Sequence, residues 1–228
     1  MLEPGTITEI LTALKAAYPN AQTELEYRTP FQLLIATILS AQCTDQRVNI
    51  ITRRLFHDHP GVEDIARLSI AELEAYIRSA GLWQTKARNI MKTCRILIER
   101  FGGEVPQTRE ELMQLPGVGR KTANVVLANA FDVPAFAVDT HVHRVANRLG
   151  LAKSKNPEQT EQQLMQAFPE HLWKDAHHWL IQHGRRLCHA RKPQCGRCPL
   201  ANLCLSAPKR RSDQEVQYRQ EDSQDPYR

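Results

Sequence analysis

The chain has no long apolar run. No window of its 228 residues approaches the roughly 20 consecutive apolar residues of a membrane-crossing helix, and residues 1–20 lack the apolar core of a secretory leader. These absences argue against a membrane partner and point to a soluble protein of a reducing compartment, by default the cytoplasm. Strand patterning is missing too, since no segment alternates convincingly between apolar and polar residues. Acidic residues vanish from one region: Gly184 to Arg211 holds Arg185, Arg186, Arg191, Lys192, Arg197, Lys209, Arg210 and Arg211 but no Asp or Glu. Such a block is either a solvated basic face or a contact for a polyanion. A net charge of +5 and a pI near 9.0 suit the second.

What is present is helical. Hydrophobic residues make up 42% of the chain, enough for a real core. Thr6 and Glu9 have capping-box spacing ahead of Ile10, Leu11 and Leu14. Pro30 stands at a first helical position before the apolar run Phe31 to Leu39, which reads as a buried helix. Ser69 with Glu72 and Thr108 with Glu111 repeat the capping signature. Ala87, Ile90, Met91, Cys94, Leu97 and Ile98 trace a helical face that ends at Gly102-Gly103. A last long helix is expected from about Leu172 to Leu187. The fold class is all-α, and the polar residues 212–228 predict a disordered tail.

Chemistry concentrates in a few places. Leu112 to Ala123, L-M-Q-L-P-G-V-G-R-K-T-A, reads as helix, Gly-containing hairpin, helix. The hairpin leaves the N–H groups around Gly117, Val118 and Gly119 at a helix N-terminus, which is an anion site. Lys121 follows in the first turn, where the helix dipole opposes a positive charge. The plain reading is a solvated lysine beside an ordinary αα-hairpin. Lys86 enters a helix after a similar turn and is a rival nucleophile, ranked lower because its turn lacks the Gly-rich hairpin. Asp139, in V-D-T-H-V-H-R-V-A-N-R-L-G, is an N-cap by position. Gln42, in L-S-A-Q-C-T-D, sits in what looks like helix punctuation, and Leu82 is an apolar residue at an exposed tip.

Four of the six cysteines are crowded together. Cys188, Cys195, Cys198 and Cys204 give C-x6-C-x2-C-x5-C, a metal site rather than structural thiols in a reducing compartment. Zinc and iron–sulfur clusters both take four thiolates, so spacing alone leaves the metal open. Arg191 and Lys192 lie in the first loop of that cluster. The histidines at 177, 178, 183 and 189 show no metal-ligand spacing and read as core or surface residues.

In this order the motifs resemble those of the endonuclease III family, the helix–hairpin–helix DNA glycosylases and AP lyases with a [4Fe–4S] cluster. The resemblance runs from about Thr6 to Leu205. It implies Lys121 as the nucleophile and Asp139 as the assisting carboxylate. By the same match Gln42 enters the duplex where the damaged nucleotide has left, and Leu82 acts as a wedge between bases. Hairpin amides from Gly117 to Gly119 would hold a phosphate, with a monovalent cation on hairpin carbonyls. The four cysteines would hold the [4Fe–4S] cluster, with Arg191 and Lys192 on phosphates. Cys43 stands where the family commonly has a smaller residue. Two helical parts follow, residues 22–132 and residues 1–21 plus 133–211, with Lys121 and Asp139 facing each other across the cleft between them.

The implied activity is removal of oxidised pyrimidines from double-stranded DNA through a lysine Schiff base and β-elimination. The partner is a duplex with a damaged base or abasic site, bound by a monomer near the nucleoid. One alternative is a monofunctional adenine or mismatch DNA glycosylase, disfavoured because such relatives usually lack this lysine and carry an extra C-terminal domain. Another is a non-catalytic DNA-binding module whose four cysteines hold zinc.

Overall fold

The computed structural model describes residues 2–208, so the expected tail and the basic residues Lys209, Arg210 and Arg211 lie outside the described residues. Eleven α-helices and three short 3-10 turns carry the fold, and the described residues include no strand. The all-α expectation holds.

Helix α1 (Pro4–Ala17) starts earlier than the Thr6–Glu9 spacing predicts. Pro4 takes the first position, where its missing N–H costs nothing, and this draws Thr6 inside the helix. Helix α2 (Pro30–Ser40) is capped by Thr29, whose side chain accepts from the Gln32 N–H, and Phe31 to Leu39 are all buried. Helix α3 (Asp45–Asp58) is capped in the same way by Thr44. The five-residue α4 (Val62–Ala66), too short to show a periodicity, has no sequence signal beyond Val62 and Ile65. Ser69 and Glu72 form the expected capping box on α5 (Ile70–Ile77). Helix α6 (Trp83–Phe101) packs on α2, α4 and α5.

The remaining helices bring the motifs together. Helix α7 (Arg109–Leu112) and α8 (Arg120–Ala130) flank the hairpin, and α8 lies against α2. An extended crossing from Val133 leads to α9 (Thr140–Leu149), which packs on α10 (Pro157–Ala167) and α11 (Trp173–Arg186).

Buried side chains form two clusters. One runs from Leu25 to Ala135 and includes Leu33, Ile35, Ile90, Leu97, Leu112 and Val126. The other joins Ile10, Leu14 and Tyr18 of the N-terminal segment to residues from Phe136 to Leu200, among them Val142, Leu149 and Leu180. Helix α8 belongs to the first cluster and α9 to the second, and the chain passes from one core to the other between Ala135 and Phe136, on the stretch that joins Lys121 to Asp139. Polar ties span the two: Asn124 Nδ2 donates to the Phe136 carbonyl at 2.9 Å, and Arg120 reaches the buried Glu161 carboxylate at 2.8 and 2.9 Å.

Candidate active site and nucleic-acid interface

The hairpin between α7 and α8 is built on one glycine. Gly117 has φ +82, and a Cβ there would lie 3.0 Å from Asn89 Nδ2, so both backbone and space demand glycine. Pro116 is held from below, its carbonyl accepting from Thr93 Oγ1 at 3.1 Å. Gly119 is the N-cap of α8, exposed, with nothing within 4 Å of where a Cβ would stand. The N–H groups of Gly117 and of Gly119 to Thr122 have no protein partner among the described residues. Val118 differs from the expectation. Its side chain is buried and its N–H donates to the Leu115 carbonyl at 3.1 Å, so its contribution is packing and the open donors lie on either side of it.

Lys121, exposed in the first turn of α8, and Asp139, partly buried at the start of α9, line the same cavity of about 60 Å³. Asp139 caps α9: its Oδ1 accepts from the N–H of His141 and of Val142, both at 2.8 Å. That fixes the carboxylate while Oδ2 keeps no protein partner among the described residues. Sequence reasoning missed the other polar residues of this cavity, which include Ser40, Asp45, His177, Gln182 and Arg185. Ser40 and Asp45 flank Gln42 within L-S-A-Q-C-T-D, and His177, Gln182 and Arg185 all come from α11, which carries no motif.

His177 is buried, and its Nδ1 meets the Ala137 carbonyl at 2.6 Å, two residues before Asp139. Burial holds its pKa down at about 4, opposed by the charge of Asp139 and helped by that of Lys121. The ring is therefore neutral near pH 7, with its proton on Nδ1. Arg185, counted in the basic block, is committed to carboxylates: it pairs with Asp45 at 2.8 Å and Glu24 at 3.2 Å. Lys86, the rival nucleophile, is only 4% exposed, and its Nζ donates to the carbonyls of Leu39 at 2.8 Å and Ala41 at 2.6 Å. It cannot reach a sugar without leaving both.

Gln42 and Leu82 stand at neighbouring tips. Both have left-handed backbones, φ 55 and 58, and Leu82 is 59% exposed. The tips touch through their backbones, since a Cβ on Gly81 would lie 3.1 Å from the Gln42 carbonyl oxygen. Cys43 packs against the first core.

Cys188, Cys195, Cys198 and Cys204 ring one cavity of about 230 Å³ after α11. No three His, Cys, Asp or Glu side chains among the described residues converge closely enough to share a single metal ion. Four thiols spread around a space of that size fit a multi-iron cluster better than one tetrahedral zinc. Helix α9 anchors the loop. Arg148 donates to the carbonyls of His189 at 2.7 Å and Ala190 at 2.9 Å, and Arg144 to those of Cys188 at 3.1 Å and Gly184 at 3.0 Å. The spacing of these arginines within the Asp139 motif was a readable signal, because residues four apart share a helix face. Arg191 and Lys192 are exposed on the loop's outer side.

Comparison with known proteins agrees with this geometry. Residues 35–170 match the model of the HhH-GPD superfamily base excision DNA repair protein, and residues 188–204 match the iron–sulfur binding domain of endonuclease III. The chain is 53% identical over 201 residues to endonuclease III of Synechocystis sp., covering 88% of this chain and 92% of the relative. It is 50% identical over 196 residues to that of Escherichia coli, covering 86% and 93%. A trapped endonuclease III–DNA covalent intermediate superposes with a TM-score of 0.87 at 49% identity, over 90% of this chain and 97% of that one. A thermostable thymine-DNA glycosylase reaches a TM-score of 0.81 at 25% identity, over 89% and 96%. A Gly-built hairpin beside a lysine–aspartate cavity, an iron–sulfur loop clamped by the helix that Asp139 caps, and similarity across nine-tenths of the fold converge on one conclusion: the chain belongs to the endonuclease III family of HhH-GPD base excision DNA repair proteins.

Proposed function

We propose that this protein is a DNA glycosylase and AP lyase that removes oxidised pyrimidines from duplex DNA. The observation that carries the reading is the shared cavity of Lys121 and Asp139, reached from an open hairpin of unpaired N–H groups. A base inside a duplex is out of reach, so the nucleotide must leave the stack at a cost of a few kcal/mol. Gln42 and Leu82 fill the space it leaves. The amine of Lys121 attacks C1′ of the extruded sugar as the C1′–N bond breaks and the base departs with the bonding electrons. The sugar ring then opens to a Schiff base, a proton leaves C2′, and the 3′ phosphate is expelled. Asp139, held by two N–H donors with its second oxygen free, stabilises the positive charge that develops on the sugar or accepts the proton of the attacking amine.

Phosphates are held by the open N–H groups beside Gly117 and Gly119, with a monovalent cation on hairpin carbonyls, and by Arg191 and Lys192. Cys188, Cys195, Cys198 and Cys204 would hold the [4Fe–4S] cluster, which would cross-link the C-terminal loop. We assign residues 22–132 to one helical lobe and residues 1–21 plus 133–211 to the other; the two apolar clusters support the division, although Val133 and Ala135 pack with the first, and residues 209–211 lie outside the described residues. The protein acts in this reading as a monomer at the nucleoid. No helix among the described residues is long and apolar enough to cross a membrane.

Borohydride trapping on a duplex with thymine glycol tests the reading. Wild type and Lys86→Ala should cross-link and Lys121→Ala should not. Base release without any trapped product would make the enzyme monofunctional and remove Lys121 from the chemistry.

A further inference from the structure

Lys86 has no part in the mechanism above, yet it is among the most buried charged side chains described, and no carboxylate lies within ion-pair distance of it. Burial pushes the ammonium below the ordinary lysine range. A buried, unpaired charge is costly unless its hydrogen bonds are met. Here two carbonyls meet them, and both belong to the C-terminal end of α2, where carbonyls lack helical partners and the dipole favours a cation.

The placement of those bonds is specific. Ala41 directly precedes Gln42, and Lys86 stands in the first turn of α6, one turn after Leu82. The Lys86 N–H also donates to the Leu82 carbonyl at 3.0 Å. One residue thus grips the base of both tips, its backbone on the Leu82 side and its side chain on the Gln42 side. Each tip holds a non-glycine residue at positive φ, a conformation that persists only where surrounding structure enforces it.

We propose that Lys86 is a positioning residue that locks the Gln42 and Leu82 tips into a single preformed wedge for the duplex. The proposal rests on the insertion role given to those two residues above. With the tips already ordered, the cost of fixing them is met during folding rather than on binding DNA. Gly81 completes the joint by letting the two backbones approach where a Cβ would come within 3.1 Å of the Gln42 carbonyl.

The test compares two substrates. A lesion in a duplex needs the wedge, whereas an abasic site in a single strand needs only the amine of Lys121. For Lys86→Met, which keeps most of the unbranched stem and removes the charge, duplex kcat/KM should fall about tenfold while single-strand strand scission stays within about twofold. In a cycle with Gln42→Ala, the second substitution should add little to the first, because coupled residues do not sum. Gly81→Ala should reproduce the substrate-dependent loss, and it stands in if Lys86→Met does not fold. Equal losses on both substrates, no loss on either, or full additivity with an active Gln42 would overturn the proposal. A Gln42→Ala variant with wild-type duplex activity would instead remove the insertion role beneath it, and the cycle with it.

Discussion

Asp139 has two separable roles, and substitution can pull them apart. Its Oδ1 takes two N–H donors at the start of α9, each at 2.8 Å, and its second oxygen is left for chemistry. Asparagine can offer the same acceptor at an N-cap, whereas alanine cannot, and loss of such a cap costs about 0.5–2 kcal/mol. In a chain of this size that is roughly 2–4 °C in Tm per kcal/mol. Asp139→Asn should therefore melt close to wild type and Asp139→Ala several degrees lower. Activity should divide differently: both variants lose the carboxylate, and base release should fall by about 10²–10⁴ in each. Thermal unfolding followed by circular dichroism, with single-turnover release of thymine glycol, measures the two effects on the same samples. An Asp139→Asn protein as unstable as Asp139→Ala would refute the capping argument, and one with wild-type turnover would refute the chemical role.

Gly117→Ala combines a positive φ with a Cβ 3.0 Å from Asn89, so it should destabilise by at least about 1 kcal/mol and weaken duplex binding, measured by denaturation and by anisotropy. Burial keeps His177 and His178 neutral, with pKa values near 4 and 3 against an ordinary 6.5. The unfolded chain then binds more protons than the folded one below pH 6.5, so stability should fall as pH drops from 6.5 towards 4; the slope should be clearly shallower in His177→Gln/His178→Gln than in wild type, with His183, which burial also holds near 4, keeping part of it, and an unchanged slope would refute the assignment. Arg191→Ala and Lys192→Ala should each lower the slope of log affinity against log salt by about 1 with little effect on lesion preference, and an unchanged slope would remove that residue from the phosphate contacts.

The helices were legible from local signals. Thr29, Thr44, Ser69, Thr108, Asp139 and Asn156 all cap the helices that follow them, because a side-chain acceptor two or three residues before an N–H needs no distant partner. Two helices show the limit of such reading: α4 is too short to carry a signal, and on α1 two local signals competed, with Pro4 prevailing over Thr6. The hairpin glycine and the four cysteines were legible for the same reason, since turn geometry and ligand spacing are short-range.

Much else depended on what folding brings alongside. Lys86 and Lys121 have similar local sequence, each entering a helix after a turn, and nothing in the sequence alone says which is buried. Packing of α6 against the end of α2 surrounds one with carbonyls, while α8 leaves the other open beside Asp139. Arg185 belongs to a basic run in sequence but to an ion-pair network with Glu24 and Asp45 in space. His177 enters the site only because α11 lies across the crossing before α9. The sequence by itself determined the helices, their caps, the hairpin and the metal loop, all settled within a turn or two of backbone. Which charges are buried, which lysine is free and which side chains share the cavity were decided only in the tertiary structure, because burial and electrostatics depend on neighbours that the chain brings from far away.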